Sequence, residues 1–396
     1  MKLYTLVLAA LLLGACASTE ELELEPKELE EFAESVTLDD VWSRDVGSGQ
    51  DARYTRLVPA IYGDTIYAAD IEGRVFALDK TNGKIRWEVA LEDSVEATGF
   101  FSALWSSPKP VPVSAGIGVS SERLLLGSYK GELIALDRNN GELLWRTQLS
   151  SEILSEPAET AGVVVATTSD GKLYGLDAET GKEKWMFESV QPVLTLRGTS
   201  APVVMGDTVL AAFDNGKIYA FEAETGLIQW EQRVAIPKGK SELERIVDID
   251  GTPRLAGDLL YVVSYQGRLV AFAASTGRPL WGEDASSVQG PSSDYNQVYI
   301  AGAMDKVQAF SSSTGVLQWE NTDLLRRELS APMVWGSYVA VVDLDGYLHL
   351  LDRNTGAMAG REQLGAAVRG RLLVDGDLLY VLDNDGELSA WRNKPR

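Results

Sequence analysis

The stretch from Gly131 to Trp145, GELIALDRNNGELLW, recurs along the chain, and that recurrence limits the folds open to it. Its apolar residues alternate, as side chains do along a strand. The alternation breaks at Asn140 and Gly141, a pair that tolerates the positive φ of a tight turn. One hairpin of this kind cannot bury its own apolar face. Further copies begin at Gly73 (GRVFALDKTNGKIRW), Gly171 (GKLYGLDAETGKEKW), Gly216 (GKIYAFEAETGLIQW) and Gly267 (GRLVAFAASTGRPLW). The copy from Lys306 (KVQAFSSSTGVLQW) lacks the first glycine. The copy from Gly346 (GYLHLLDRNTGAMAG) carries Gly360 in place of tryptophan, and the last, from Gly386 (GELSAWRNKPR), ends before its turn.

Successive copies start 58, 40, 45, 51, 39, 40 and 40 residues apart. A period of roughly 40 to 50 residues with four strands per unit marks propeller blades. Upstream of each hairpin lies another strand, as in GDTVLAAFDNG, and before it a short element near a proline, as in TSAPVV. Each blade therefore reads as a short inner strand, two longer strands and an outer strand bearing the tryptophan. Neighbouring blades cover the two faces of each sheet, and the tryptophan supplies apolar surface between them. The last copy lacks a fourth strand, while LDDVWSRDV near the N-terminus is a lone strand whose Trp42 precedes Trp87 by 45 residues, one repeat. The chain is thus expected to be all-β: an eight-bladed β-propeller over residues 39–396, its last blade closed by the N-terminal strand.

The chain opens MKLYTLVLAALLLGAC: Lys2, an apolar run from Leu3 to Leu13, then small residues. That run is too short to cross a bilayer and reads as a signal peptide over residues 1–15. Leu13-Gly14-Ala15-Cys16 resembles a bacterial lipobox, which implies lipidation of Cys16, the only cysteine in 396 residues. Ala17 follows where inner-membrane retention usually calls for aspartate, so the implied address is the periplasmic face of the outer membrane. Residues 16–38, rich in glutamate, read as a lipidated, solvated tether. A net charge of −22 argues against nucleic acid or anionic headgroups as direct partners. One cysteine and one histidine exclude a disulfide framework and all but exclude a zinc site.

The repeat motif, clearest in YGLDAETGKEKW, resembles that of pyrroloquinoline-quinone dehydrogenases, a likeness of fold more than of chemistry. Those enzymes typically carry a vicinal disulfide beside the cofactor and a calcium site, and a disulfide is impossible here. His349, in GYLHLLD, could serve as a general base, but its alternating position suits a residue packed inside a blade. VDLDG (342–346) and LDNDG (382–386) resemble calcium loops yet recur as blade turns without the further ligands. No catalytic constellation, metal site or cofactor is expected.

Lipobox, acidic tether and eight-bladed repeat together resemble the BamB family, lipoproteins of the outer-membrane β-barrel assembly (BAM) machinery. The resemblance implies a non-enzymatic scaffold that binds the periplasmic POTRA domains of BamA, sits with other BAM subunits, and assists assembly of unfolded barrel proteins. The rival readings are a quinone-dependent periplasmic dehydrogenase and an unrelated binding propeller. Long inserts separate Trp87 from Pro108, Trp185 from Pro202 and Trp230 from Pro253. The second holds SVQPVLTLRGTSAP and the third SELERIVDIDGTPR. In BamB proteins an LxLR loop and an Asp-bearing loop of the next blade contact BamA. Leu194, Leu196 and Arg197 match the first, and Asp248 and Asp250 the second.

Overall fold

The computed structural model describes residues 25–50, 55–93 and 109–396. The expected signal peptide and Cys16 lie outside them, as does most of the Trp87–Pro108 insert. Thirty-two strands among the described residues form eight four-stranded antiparallel sheets. Blades 1 to 7 span residues 60–90, 118–148, 158–188, 203–233, 254–285, 292–321 and 333–363. Each runs in chain order from the central axis outward. Blade 8 takes three strands from residues 373–395 and its outer strand, β1 (Val36–Asp45), from the N-terminus. The expected eight-bladed ring with N-terminal closure is the architecture observed.

Burial follows from position in the ring. The two middle strands of a blade are covered on both faces, so strands such as Val163–Thr168 and Thr208–Phe213 are buried at every residue. Outer strands such as Glu183–Glu188 alternate between exposed and half-buried residues. The apolar core therefore lies between blades: Leu210, Ile218 and Ala220 of blade 4 pack with Leu260, Val262 and Phe272 of blade 5.

A β-bulge recurs in every outer strand at the residue before the tryptophan position: Arg86, Leu144, Lys184, Gln229, Leu280, Gln318, Ala359 and, in β1, Val41. A bulge re-aims the side chain that follows it. The indole so aimed reaches the next blade. Trp42, Trp145, Trp185, Trp230, Trp281 and Trp319 each donate Nε1–H to a carbonyl there, at 2.8–3.0 Å. The ring lies on that blade's turn glycine. A Cβ on Gly356, which has φ +73°, would stand 2.4 Å from the Trp319 ring.

Blade 7 departs from this pattern for a reason visible only in three dimensions. Blade 8 has no turn after residues 387–395, so nothing awaits an indole from blade 7. The N-terminal chain crosses there instead. Ser35 N–H donates to Ala359 O at 2.9 Å, and a Cβ on Gly360 would lie 2.7 Å from Val36 Cγ1.

The start of the propeller differs from expectation. β1 begins at Val36, not 39, and residues 25–35 run along blades 6 and 7 with Lys27, Leu29, Phe32 and Glu34 half-buried and the others exposed. Lys27 N–H donates to Leu325 O at 3.0 Å, and Leu29 packs among Trp319, Leu324 and Leu329. The Arg327 and Arg361 guanidiniums donate to Lys27 O and Glu30 O at 3.0 and 3.2 Å. Carbonyls of an acidic-looking segment thus find two guanidinium donors, one buried in the connection before blade 7 and one half-buried on its outer strand.

Candidate functional site

Three consecutive inter-blade connections meet on one face: residues 149–157, 189–202 and 234–253. The second carries the LTLR stretch. Leu194 is 40% exposed, Val190 and Val193 more so, while Leu196 is half-buried. Leu194 and Leu196 therefore do not present equal faces to solvent. The third connection adds exposed Ile236 and Leu243.

Asp248 and Asp250 do not stand beside these leucines as surface groups. They are 0% and 4% exposed. Asp248 Oδ2 accepts the backbone N–H of Leu196 from above, pinning the middle of the loop. Asp250 packs so closely under Gly198 that a Cβ there would lie 2.6 Å from its Oδ1. Arg197 does not turn to either aspartate. Its guanidinium pairs with Glu152 of the preceding connection at 3.3 Å and lies 5.9 Å from the centre of the Tyr129 ring. The structure thus brings all five expected residues into one locale but divides their work: Leu194 and Arg197 are outward, Asp248 and Asp250 inward.

A third buried carboxylate, Asp214, completes the inward group, its ligand-capable oxygen lying within 4.8 Å of those of Asp248 and Asp250. Gln191, with its amide nitrogen turned inward, donates to Asp214 Oδ2 at 3.2 Å. Burial pushes Asp214 up to about 8, with the charges of Asp250 and Asp248 adding. Burial also pushes Asp248 up to about 7, against the opposing bond from Leu196 N–H. Asp250 is raised by burial too, with Arg56 opposing. Asp214, Glu152 and Gln191 were not foreseeable from the chain. Asp214 and Glu152 lie in other turns, Gln191 lies three residues before Leu194, and nothing in their local sequence separates them from ordinary turn and loop residues.

The central channel opens as a cavity of about 710 Å³. Prolines at the inner strands, among them Pro157, Pro202 and Pro253, line it with Arg254 and Arg371. Arg254 is held below its usual range by burial and by the like charge of Arg371. His349 is fully buried in blade 7, its Nε2 at 2.8 Å from Asp343 Oδ2. Asp343 and Asp383, from the two calcium-like stretches, accept backbone N–H groups of their own turns. Among the described residues no helix is long and apolar enough to cross a membrane.

Fold and site together define an eight-bladed propeller of quinoprotein-type repeats that presents a pinned, leucine-bearing loop on one face. A family profile described as outer membrane protein assembly factor BamB matches residues 31–100, 96–321 and 303–394. The outer membrane protein assembly factor BamB of Pseudomonas aeruginosa is 45% identical over 387 residues, covering 98% of this chain and 97% of its own. The crystal structure of BamB from Moraxella catarrhalis superposes with a TM-score of 0.79 at 28% identity, covering 90% of this chain and 100% of that one. The chain belongs to the BamB family of outer membrane protein assembly factors. A europium-containing methanol dehydrogenase, at TM-score 0.68 and 13% identity over 90% of this chain and 93% of its own, shares the fold alone.

Proposed function

We propose that the protein is a lipid-anchored, non-enzymatic scaffold on the periplasmic face of the outer membrane, and that it binds the POTRA domains of BamA through the 189–202 connection. Cys16 carries the lipid. The observation that carries the reading is the pinned loop: an exposed leucine and arginine on a segment whose backbone is held from beneath by a buried carboxylate. A loop held in shape before binding loses less freedom on association. Leu194 supplies apolar surface, and Arg197 can fork onto a carboxylate or backbone of the partner. Asp248 and Asp250 act as positioning groups and do not touch the partner. The relatives bear the names of assembly factors rather than enzymes, which favours this reading over the dehydrogenase.

The test is binding of the full chain to the BamA periplasmic region. Anchors of this kind cost about 2 kcal/mol or more when truncated, so Leu194→Ala and Arg197→Ala should each weaken binding by roughly 30-fold. Thermal melts run in parallel should stay unchanged. Unaltered binding in a Leu194, Leu196 and Arg197 triple alanine variant overturns the site.

A further inference from the structure

We propose that Asp214, Asp248 and Asp250 together hold one divalent cation of calcium size beneath the 189–202 connection. The three residues come from two elements, the hairpin turn after Thr208–Phe213 of blade 4 and the connection into blade 5, and all three are more than nine-tenths buried. One carboxylate oxygen from each lies within 4.8 Å of the others. Calcium bonds oxygen at about 2.3–2.6 Å, so a single ion can touch oxygens that far apart; the shorter bonds of magnesium, about 2.0–2.1 Å, suit the span less well.

Acidity and proximity are not the whole case. Asp248 Oδ1 and Asp250 Oδ1 are buried and have no hydrogen-bond partner, an arrangement that costs free energy unless something supplies the missing contacts. Among the described residues the other buried aspartates, Asp70, Asp343 and Asp383, have both oxygens hydrogen-bonded. Asp70 accepts from Ser48, Glu72 and Arg74 N–H groups and pairs with the Arg74 guanidinium. Asp343 accepts from Asp345, Tyr347 and Arg327. Among the described residues no lysine or arginine stands within ion-pair distance of any of the trio. The cation whose charge acts on Asp250 is Arg56, and its guanidinium donates instead to Val288 O at 3.3 Å.

Asp214 is also spare in its own turn. The side chain that caps the blade 4 turn is Asn215, whose Oδ1 accepts Lys217 N–H at 3.1 Å. Hard carboxylate oxygens without nitrogen or sulfur ligands select calcium-like ions over zinc or copper. Such an ion would neutralise charge that burial opposes and fix Asp248, hence Leu196 and the loop above it. The inference stands whatever the loop binds.

The experiment uses the full chain in detergent, stripped with EDTA at mildly alkaline pH and moderate salt. Calorimetric titration with calcium chloride into the millimolar range should give one site per chain, and calcium should raise the melting temperature by several degrees, magnesium by less. Asp214→Asn and Asp250→Asn should abolish both responses. Without calcium these variants should melt no lower than the parent, because each removes one of three like charges. Asp284→Asn, at a fully exposed carboxylate, should respond as the parent does. No heat and no shift in the parent overturns the proposal in favour of protons shared among the three. A shift that survives in an Asp214→Asn, Asp250→Asn double variant overturns it in favour of surface binding.

Discussion

His349 is the only histidine in the chain, and its surroundings decide its proton. Arg361 Nε–H donates to Nδ1 at 3.2 Å, so Nδ1 is the acceptor and Nε2–H faces Asp343 Oδ2. Burial lowers its pKa; the Asp343 bond and charge oppose this, and the nearby Arg361 and Arg327 charges lower it further. Tyr347 packs beside the ring. The folded chain therefore refuses a proton that the unfolded chain accepts near pH 6.5. A depressed histidine pKa stabilises above that value, and the contribution is lost as pH falls below it. His349→Gln should thus show a flatter loss of stability than the parent between about pH 7 and pH 5, read as the difference between the two denaturation curves. Glycine offers a second test at this scale. Gly336 (φ +60°) has nothing near a would-be Cβ, whereas Gly356 lies under Trp319. Gly336→Ala should cost about 1 kcal/mol of backbone strain, and Gly356→Ala well above 2 kcal/mol, since the indole must also move. Equal losses in chemical denaturation would contradict the docking of tryptophan on glycine.

At the scale of the element, the strand that closes the ring behaves as any outer strand does. β1 pairs with residues 387–395 from Val36–Pro395 to Asp45–Glu387, with its bulge at Val41. Trp42 Nε1–H and Tyr380 Oη–H both donate to Lys80 O at 3.0 Å, and Lys80 pairs with Asp375. One lysine of blade 1 thus fastens three strands of blade 8. Trp42→Ala should cost about 3 kcal/mol or more for a buried aromatic. Deleting residues 25–45 should leave residues 387–395 as an unpaired edge prone to association. Size-exclusion chromatography and melts read both; a monomer as stable as the parent contradicts the closure. Gly360→Trp, which restores the repeat motif, should destabilise rather than stabilise, because Val36 occupies the space the indole needs.

Across the whole molecule, long-range charge and the proposed anchor bear on where the chain works. The full chain carries −22 formal charge, which disfavours direct adhesion to anionic lipid, so the proposed role assigns attachment to a lipid on Cys16. Cys16→Ala should release the protein from the outer-membrane fraction into soluble periplasm; retention in the membrane fraction defeats that assignment. The proposed scaffold role also has no turnover to lose. Mixed with pyrroloquinoline quinone, calcium and alcohol or aldose, the purified chain should reduce no electron acceptor above a protein-free control.

The repeat made the architecture legible because each blade is a local object. Strand alternation, the turn glycine and the tryptophan all lie within fifteen residues, and their spacing counts the blades. Closure was legible too, since an incomplete last copy and a stray tryptophan strand add to one blade. The loop residues were found through resemblance, but their roles were not. That Arg197 turns to Glu152, that Asp248 faces inward to Leu196 N–H, and that Asp214 joins two aspartates 34 and 36 residues further on depend on which loops the ring brings together. The same holds for Gly360, which reads as a lost tryptophan until Val36 is seen against it. Residues 25–35 likewise read as a tether, because their glutamates outweigh Leu29 and Phe32 until Arg327 and Arg361 meet their carbonyls. Local sequence determines strands and turns through short-range sterics and periodicity. Contacts between separate blades depend on distances set by ring closure, and only the tertiary structure decides those.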